Sequence, residues 1–274
     1  MDQFFLDAAY KASKVITNHY STSFSSGIRI FDESLRDPIY GIYGFVRFAD
    51  EIVDSEHNEN KREILDEFWK ETKKAIDQKF SMNPILHAFQ DTVHKYHIDF
   101  EFIQAFVDSM YMDIDPIVYD RALYEKYIYG SAEVVGLMCL RVFLKGKDQS
   151  FDTLVPHARA LGSAFQKINF LRDIKSDYID RGRTYFPGID VSKFNQSQKL
   201  EIENEIQKEF DFAYIGIKQL PMNCRVGVLT AYYYYLELLK IIKKQSPDTI
   251  LKARMSVPTW RKLQILGMTY LRKS

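Results

Sequence analysis

Two acidic clusters constrain this chain more than any other feature. Asp50-Glu51-Ile52-Val53-Asp54 and Asp173-Ile174-Lys175-Ser176-Asp177 each set two aspartates four residues apart among mostly apolar neighbours. At that spacing both carboxylates of a pair stand on one helix face, one turn apart, so both segments are predicted to be helical. A carboxylate in apolar surroundings is costly unless a cation or hydrogen-bond donors neutralise it. Two such pairs facing each other across a helical cavity would suit a hard cation such as Mg²⁺ shared with a diphosphate.

The rest of the chain reads as helix too. It has 274 residues with only 12 Gly and 8 Pro, leaving long intervals without either. The expected class is therefore all-α, with one domain over residues 1–274. Helices are predicted over 2–18, from an Asp37 cap with Pro38 in the first turn, over 61–79, from Asn83-Pro84 to Tyr96, over 99–112, 124–144, 155–179, 196–212, 224–244 and 257–270. The Ser/Thr-rich stretch from Tyr20 to Gly27 reads as a break. In 124–144, Gly130, Ser131, Ala132 and Gly136 would let something large approach the backbone.

Charge and composition exclude several functions. Lys plus Arg and Asp plus Glu are both 37, so no global basic field draws in nucleic acid. Cys139 and Cys224, 85 residues apart among apolar neighbours, suit reduced thiols of a cytoplasmic protein, with a disulfide as the open alternative. The start of the chain lacks a secretion signal, and the most apolar segment, 134–144, is too short to span a bilayer and carries Arg141. Phe4-Phe5-Leu6 is a candidate for peripheral contact with the inner membrane. Oligomeric state is not legible.

Around the second acidic pair, Gln166, Asn169, Asp173 and Asp177 recur at steps of three, four and four, with Arg172 beside them and Phe165, Ile168, Phe170, Leu171 and Ile174 between. One Asp-x-x-x-Asp commonly marks a solvated helix face; this longer polar stripe is much rarer, and Arg47 ahead of Asp50 and Asp54 repeats its logic. No Gly-x-Gly-x-x-Gly fingerprint and no Glu-x-x-His pair of a di-iron bundle occurs, and the six histidines are dispersed.

With these motifs the chain resembles the squalene/phytoene synthase family. The resemblance runs in order through Ser21-Thr22-Ser23-Phe24, Tyr40 to Arg47 ahead of Asp50 and Asp54, Tyr127-Ile128-Tyr129 with Val135-Gly136, Gln166 to Asp177, and Gly182-Arg183-Thr184-Tyr185-Phe186-Pro187. It covers roughly 13–262, and within the family it is strongest to bacterial, Bacteroidetes-type members that make phytoene. Thr22 stands where some relatives carry a lysine.

The resemblance implies an isoprenoid-synthase-type helical bundle around a central cavity, which joins two prenyl diphosphates head to head. Asp50, Asp54, Asp173 and Asp177, with Asn169, would hold Mg²⁺ or Mn²⁺. Ser21, Ser23, Arg47, Gln166, Arg172, Arg183 and Arg254 would hold diphosphate. Phe24, Tyr43, Tyr127 and Tyr235 would face carbocations. The implied reaction makes 15-cis-phytoene from two geranylgeranyl diphosphates without NADPH. The rivals are the same chemistry on farnesyl diphosphate and a non-catalytic scaffold relative. A head-to-tail elongase or cyclase would call for an Asp-Asp-x-x-Asp cluster, which neither motif has.

Overall fold

The computed structural model describes residues 3–55, 60–115, 119–147, 150–179 and 185–271, and among them there are helices and no strand. The elements are α1 (Gln3–Tyr20), α2 (Thr22–Ile28), α3 (Glu33–Asp54), α4 (Lys61–Gln78), α5 (Pro84–Tyr96), α6 (Phe100–Ile114) and α7 (Arg121–Ile128). A π-helical turn (Tyr129–Glu133) joins α7 to α8 (Val134–Phe143). Then come α9 (Phe151–Ile179), α10 (Gln196–Ile217), α11 (Met222–Lys243), the single turn α12 (Pro247–Ile250) and α13 (Thr259–Leu271).

Three sequence expectations are corrected. The stretch 20–27 is not a break, because Ser21 caps a short helix by accepting from Phe24 N–H at 3.2 Å. α3 starts at Glu33 and not at Asp37-Pro38: Asp32 caps it through Ser34 N–H, and Leu35, fully buried, continues the apolar phase of Ile39 and Ile42. Burial of that stripe outweighs the one backbone bond that Pro38 removes inside the helix. α9 likewise starts at Phe151 and not at 155, which places Pro156 inside it.

The small residues in 124–144 admit neighbouring helices. A Cβ on Gly130 would lie 2.4 Å from the Ala105 carbonyl oxygen of α6, and one on Gly162 of α9 would lie 2.8 Å from the Ala132 carbonyl. Only glycine permits those backbone approaches, and the widened π turn sits between them.

The core runs from Leu35, Ile39 and Phe45 of α3 through Phe89, Phe106 and Met138 to Ile168, Phe210 and Leu238. Phe45 and Phe89 stack with centroids 3.9 Å apart. α9 packs most extensively on α10, where buried Lys167 donates to Glu205 at 2.6 Å and to Glu209 at 2.5 Å. Among the described residues α3 and α9 share no broad contact; α8 packs on both, α2 touches α3 and α11, and α11 returns to α9. The two acidic helices are thus set apart, with other helices holding the separation.

Candidate active site

Both acidic pairs fall near the C-terminal ends of their helices. Asp54 is the last residue of α3, and Asp177 lies in the last turn of α9; neither last turn contains a basic residue. Carboxylates there oppose the helix macrodipole, which favours cations at that end. Local stability would place a lysine at such positions, so both helix ends carry negative potential beyond their formal charges.

Arginines answer part of that potential. Arg47 donates to Asp50 at 2.6 Å and to Glu51 at 2.5 Å, and its guanidinium lies 4.3 Å from the centre of the Tyr20 ring. Arg172 grips both oxygens of Asp173, at 3.1 Å from Nε and 2.5 Å from Nη2, and Arg254 adds a bond to Asp173 at 2.7 Å. The Asp50 and Asp173 side chains are 37% and 20% exposed, while Asp177 is buried. The first two acids are therefore less enclosed than their apolar flanks suggest. Arginines meet part of the need for neutralisation that the sequence assigned to a metal, at Asp50 and Asp173.

Among the described residues, the buried Arg47 Nε–H has no acceptor. An unsatisfied buried donor costs about 1–3 kcal/mol and more when charged, so an anion reaching Arg47 would remove a standing penalty.

A stacked aromatic pair accompanies each acidic helix. Phe24 stacks on Tyr43 with centroids 4.8 Å apart, and Phe165 on Tyr235 at 4.0 Å. The Tyr235 hydroxyl donates to Asn169 Oδ1 at 3.4 Å. Burial pushes the Tyr43 phenol up; Arg47 and Ser21 pull it back, while Asp50 and Tyr235 push the same way as burial. Burial also raises Tyr235, against the pull of Arg172. Tyr43 thus feels Asp50 on its own helix and Tyr235 across the gap, and Tyr235 feels Arg172 and Asp173.

Of the remaining sequence candidates, Gln166 is half-buried on the same stripe as Asn169. Arg183 and the Ser23 side chain lie outside the described residues.

Tyr127 belongs to a second cluster. Its hydroxyl donates to Asp113 at 2.8 Å, and Tyr185 donates to the other oxygen of Asp113 at 3.3 Å. Tyr185 stacks on Phe170 at 4.2 Å and on Tyr127 at 5.2 Å, and Tyr119 meets Tyr127 edge-on. Burial, reinforced by Asp113, holds the Tyr127 phenol well above its ordinary range. Asp113 is absent from the sequence candidates because the helix was expected to end at Met112. In the structure α6 runs to Ile114 and turns Asp113 inward, 8% exposed. An acid following the apolar run Met110-Tyr111-Met112 was the available signal.

The donor set suits a hard divalent ion, since carboxylate and amide oxygens are what Mg²⁺ takes. Among the described residues no three His, Cys, Asp or Glu side chains come together as a ready-made metal cage. That is compatible with an ion held by one or two carboxylates and completed by substrate phosphate and water.

Known proteins resemble this chain in sequence and in fold. The family model for squalene/phytoene synthase matches residues 17–211. A 15-cis-phytoene synthase from Synechococcus elongatus is 29% identical, covering 97% of this chain and 94% of its own. A 4,4'-diapophytoene synthase from Staphylococcus haemolyticus is 25% identical, covering 95% of each. In fold, the chain matches the crystal structure of a dehydrosqualene synthase in complex with ligand at TM-score 0.82, with 21% identity and 98% of both chains covered. It matches a squalene synthase from Alicyclobacillus acidocaldarius at 0.72, with 19% identity and 98% and 95% covered.

Fold and motifs together define an isoprenoid-synthase-type helical enzyme. The chain belongs to the squalene/phytoene synthase family, a class of prenyl transferases.

Proposed function

We propose that this protein joins two geranylgeranyl diphosphates head to head to give 15-cis-phytoene and two diphosphates. The observation that carries the reading is the pair of Arg–Asp constellations, Arg47 with Asp50 and Arg172 and Arg254 with Asp173, on two separated helices, with the Phe24–Tyr43 stack at the first and the Phe165–Tyr235 stack at the second. Support for the C20 substrate is the likeness over 97% of the chain to a 15-cis-phytoene synthase.

In the first half-reaction an allylic carbon–oxygen bond breaks and its electron pair leaves with diphosphate. The second substrate's double bond attacks the cation, and loss of a proton closes a cyclopropane that still bears one diphosphate. That diphosphate leaves in turn, the skeleton rearranges, and loss of a second proton gives the central double bond. No hydride is added, so NADPH is not required.

Arg47, Arg172 and Arg254 would hold the diphosphates and favour the charge that grows on the leaving oxygen. Ser21 and Gln166 would add hydrogen bonds. Asp50, Asp54, Asp173, Asp177 and Asn169 would hold Mg²⁺, or Mn²⁺ in its place. The metal would supply Lewis-acid stabilisation of departing diphosphate. Phe24, Tyr43 and Tyr235 would present ring faces near the developing cation and keep water away from it. Tyr127, fixed by Asp113, would present a neutral phenol deeper in the protein.

A second reading, the same chemistry on farnesyl diphosphate, has its own support in the 0.82 TM-score to a dehydrosqualene synthase. Product analysis by liquid chromatography and mass spectrometry separates the two. Purified protein would be incubated with Mg²⁺ and either diphosphate, with and without NADPH. Phytoene from the C20 substrate without NADPH is the expected result. A C30 product alone moves the enzyme to the farnesyl branch, and no product under any condition favours a scaffold role.

A further inference from the structure

Tyr20 meets Arg47 through the face of its ring. The guanidinium lies 4.3 Å from the ring centre, which leaves no room for water between them. Tyr20 is 46% exposed, so its ring adds little to the core, and among the described residues its hydroxyl makes no hydrogen bond. His19 packs edge-on against it at 5.3 Å. What this side chain offers the molecule is one aromatic face, and Arg47 occupies it.

The backbone fixes that meeting. α1 and α3 run side by side in the same sense: a Cβ on Gly41 would meet the Tyr10 ring at 3.3 Å and one on Gly44 the Ser13 hydroxyl at 3.0 Å, and the advance along both helices ends with Tyr20 over Arg47. Thr17, fully buried, holds the last turn of α1 by donating to the Ser13 carbonyl at 2.8 Å. Ser21, the next residue after Tyr20, caps α2 and acts on the phenol of Tyr43, one turn before Arg47 on the same face of α3. The junction of α1 and α2 thus delivers two successive residues to two successive turns of α3.

Arg47 needs such a support. Its hydrogen bonds to Asp50 and Glu51 both leave from the terminal nitrogens, Nη1 and Nη2. Those bonds hold the planar group along one edge and leave its tilt about that edge to a flexible stem. A ring face against the plane removes the tilt, and with it fixes the direction of the unpaired Nε–H. Under the proposed function Asp50 would be shared with a divalent ion, and Glu51 is half exposed. A neutral ring holds the guanidinium whether or not the acids are engaged elsewhere.

We infer that Tyr20 is a positioning residue for Arg47: its ring face sets the plane of the guanidinium so that the free donors of Arg47 meet an arriving diphosphate. The inference rests on the proposed recognition of diphosphate by Arg47. Tyr20 itself stands one residue ahead of the Ser21-Thr22-Ser23-Phe24 motif, outside the sequence candidates.

Two variants separate the ring from the hydroxyl. Tyr20→Leu keeps apolar bulk without the aromatic face, and Tyr20→Phe keeps the face without the hydroxyl. In the ligand-free protein, nitrogen-15 relaxation of the Arg47 Nε–H, assigned by its disappearance in Arg47→Lys, should report a rigid group in the wild type and in Tyr20→Phe, and a mobile one in Tyr20→Leu. Calorimetric titration with inorganic diphosphate and Mg²⁺ should show roughly tenfold weaker binding to Tyr20→Leu and wild-type binding to Tyr20→Phe, with thermal midpoint and circular dichroism unchanged in both. Wild-type affinity in Tyr20→Leu, or an Nε–H equally rigid there, overturns the inference and leaves the proposed function in place. So does a loss in Tyr20→Phe as large as in Tyr20→Leu, which would make the hydroxyl the acting group. A wild-type protein that binds no diphosphate strikes down the proposed function and the inference together.

Discussion

Asp173 and Asp113 are both drawn inward by the fold, and they are held in opposite company. Asp173 takes its hydrogen bonds from the guanidinium groups of Arg172 and Arg254, and Asp50 stands likewise beside Arg47. Asp113 takes bonds from the hydroxyls of Tyr127 and Tyr185 within a stack of rings. Arginines keep a carboxylate ionised and bring their own remaining donors to any anion nearby. Tyrosines keep a carboxylate fixed while presenting neutral, ring-lined surface. Under the proposed function the contrast would divide the work: the α3 and α9 ends would recognise diphosphate, and the Asp113 cluster would face a hydrocarbon that must stay dry.

The largest effect that would break this contrast is loss of an arginine-held acid. Asp50→Ala or Asp173→Ala should lower kcat by about 10²-fold or more, with little change in thermal midpoint or circular dichroism. Wild-type turnover in either variant would remove these acids from the chemistry. Arg47→Lys keeps the charge but not the fork, and steady-state kinetics should show kcat/KM down by about 10²-fold. If lysine served equally well, Arg47 would act as a point charge and its Nε–H would have no special part.

The tyrosine-held region should answer through stability first. Gly130→Ala forces a methyl against the Ala105 carbonyl and the Ser109 side chain, pushing α6, which carries Asp113, away from the helix that carries Tyr127. A loss of about 1–3 kcal/mol in denaturant unfolding is expected. Asp113→Asn keeps the shape but leaves one oxygen acceptor where there were two, so one tyrosine hydroxyl loses its acceptor and is left facing the amide NH2. It should cost about 1–2 kcal/mol of stability and less activity than Asp50→Ala. A larger loss of kcat from Asp113→Asn than from Asp50→Ala would reverse the division of work.

The smallest effect is alkaline. Burial raises the Tyr127 phenol well above 10.0 and the Cys139 thiol from 9.0 to about 12. Below the unfolded values both states are protonated and the full stabilisation is present. As pH climbs past 9.0, the unfolded chain releases the thiol proton that the folded chain keeps, and stability falls until the folded value is passed. Thermal midpoints should therefore decline above pH 9.0, and replacing both Cys139 and Cys224, whose thiol burial raises as far, with Ala should flatten the first part of that decline.

Helical class, the two acidic stripes and the Arg47 and Arg172 partners were legible because they are periodic and local. Carboxylates and an arginine within four residues on one helix share a face wherever that helix packs. The same locality explains the misreadings. Pro38 and the serines after Tyr20 signal a break in any chain, and only burial of Leu35 and capping by Ser21 overrule them. Asp113, Tyr127 and Tyr185 meet across 72 residues, and Arg254 reaches Asp173 across 81. No local pattern carries such pairings. The sequence determined that this chain is a bundle of helices with paired carboxylates on two helix faces. The tertiary structure decided which cations and hydroxyls reach those acids, because partners far apart in the chain meet only when the core between them has closed.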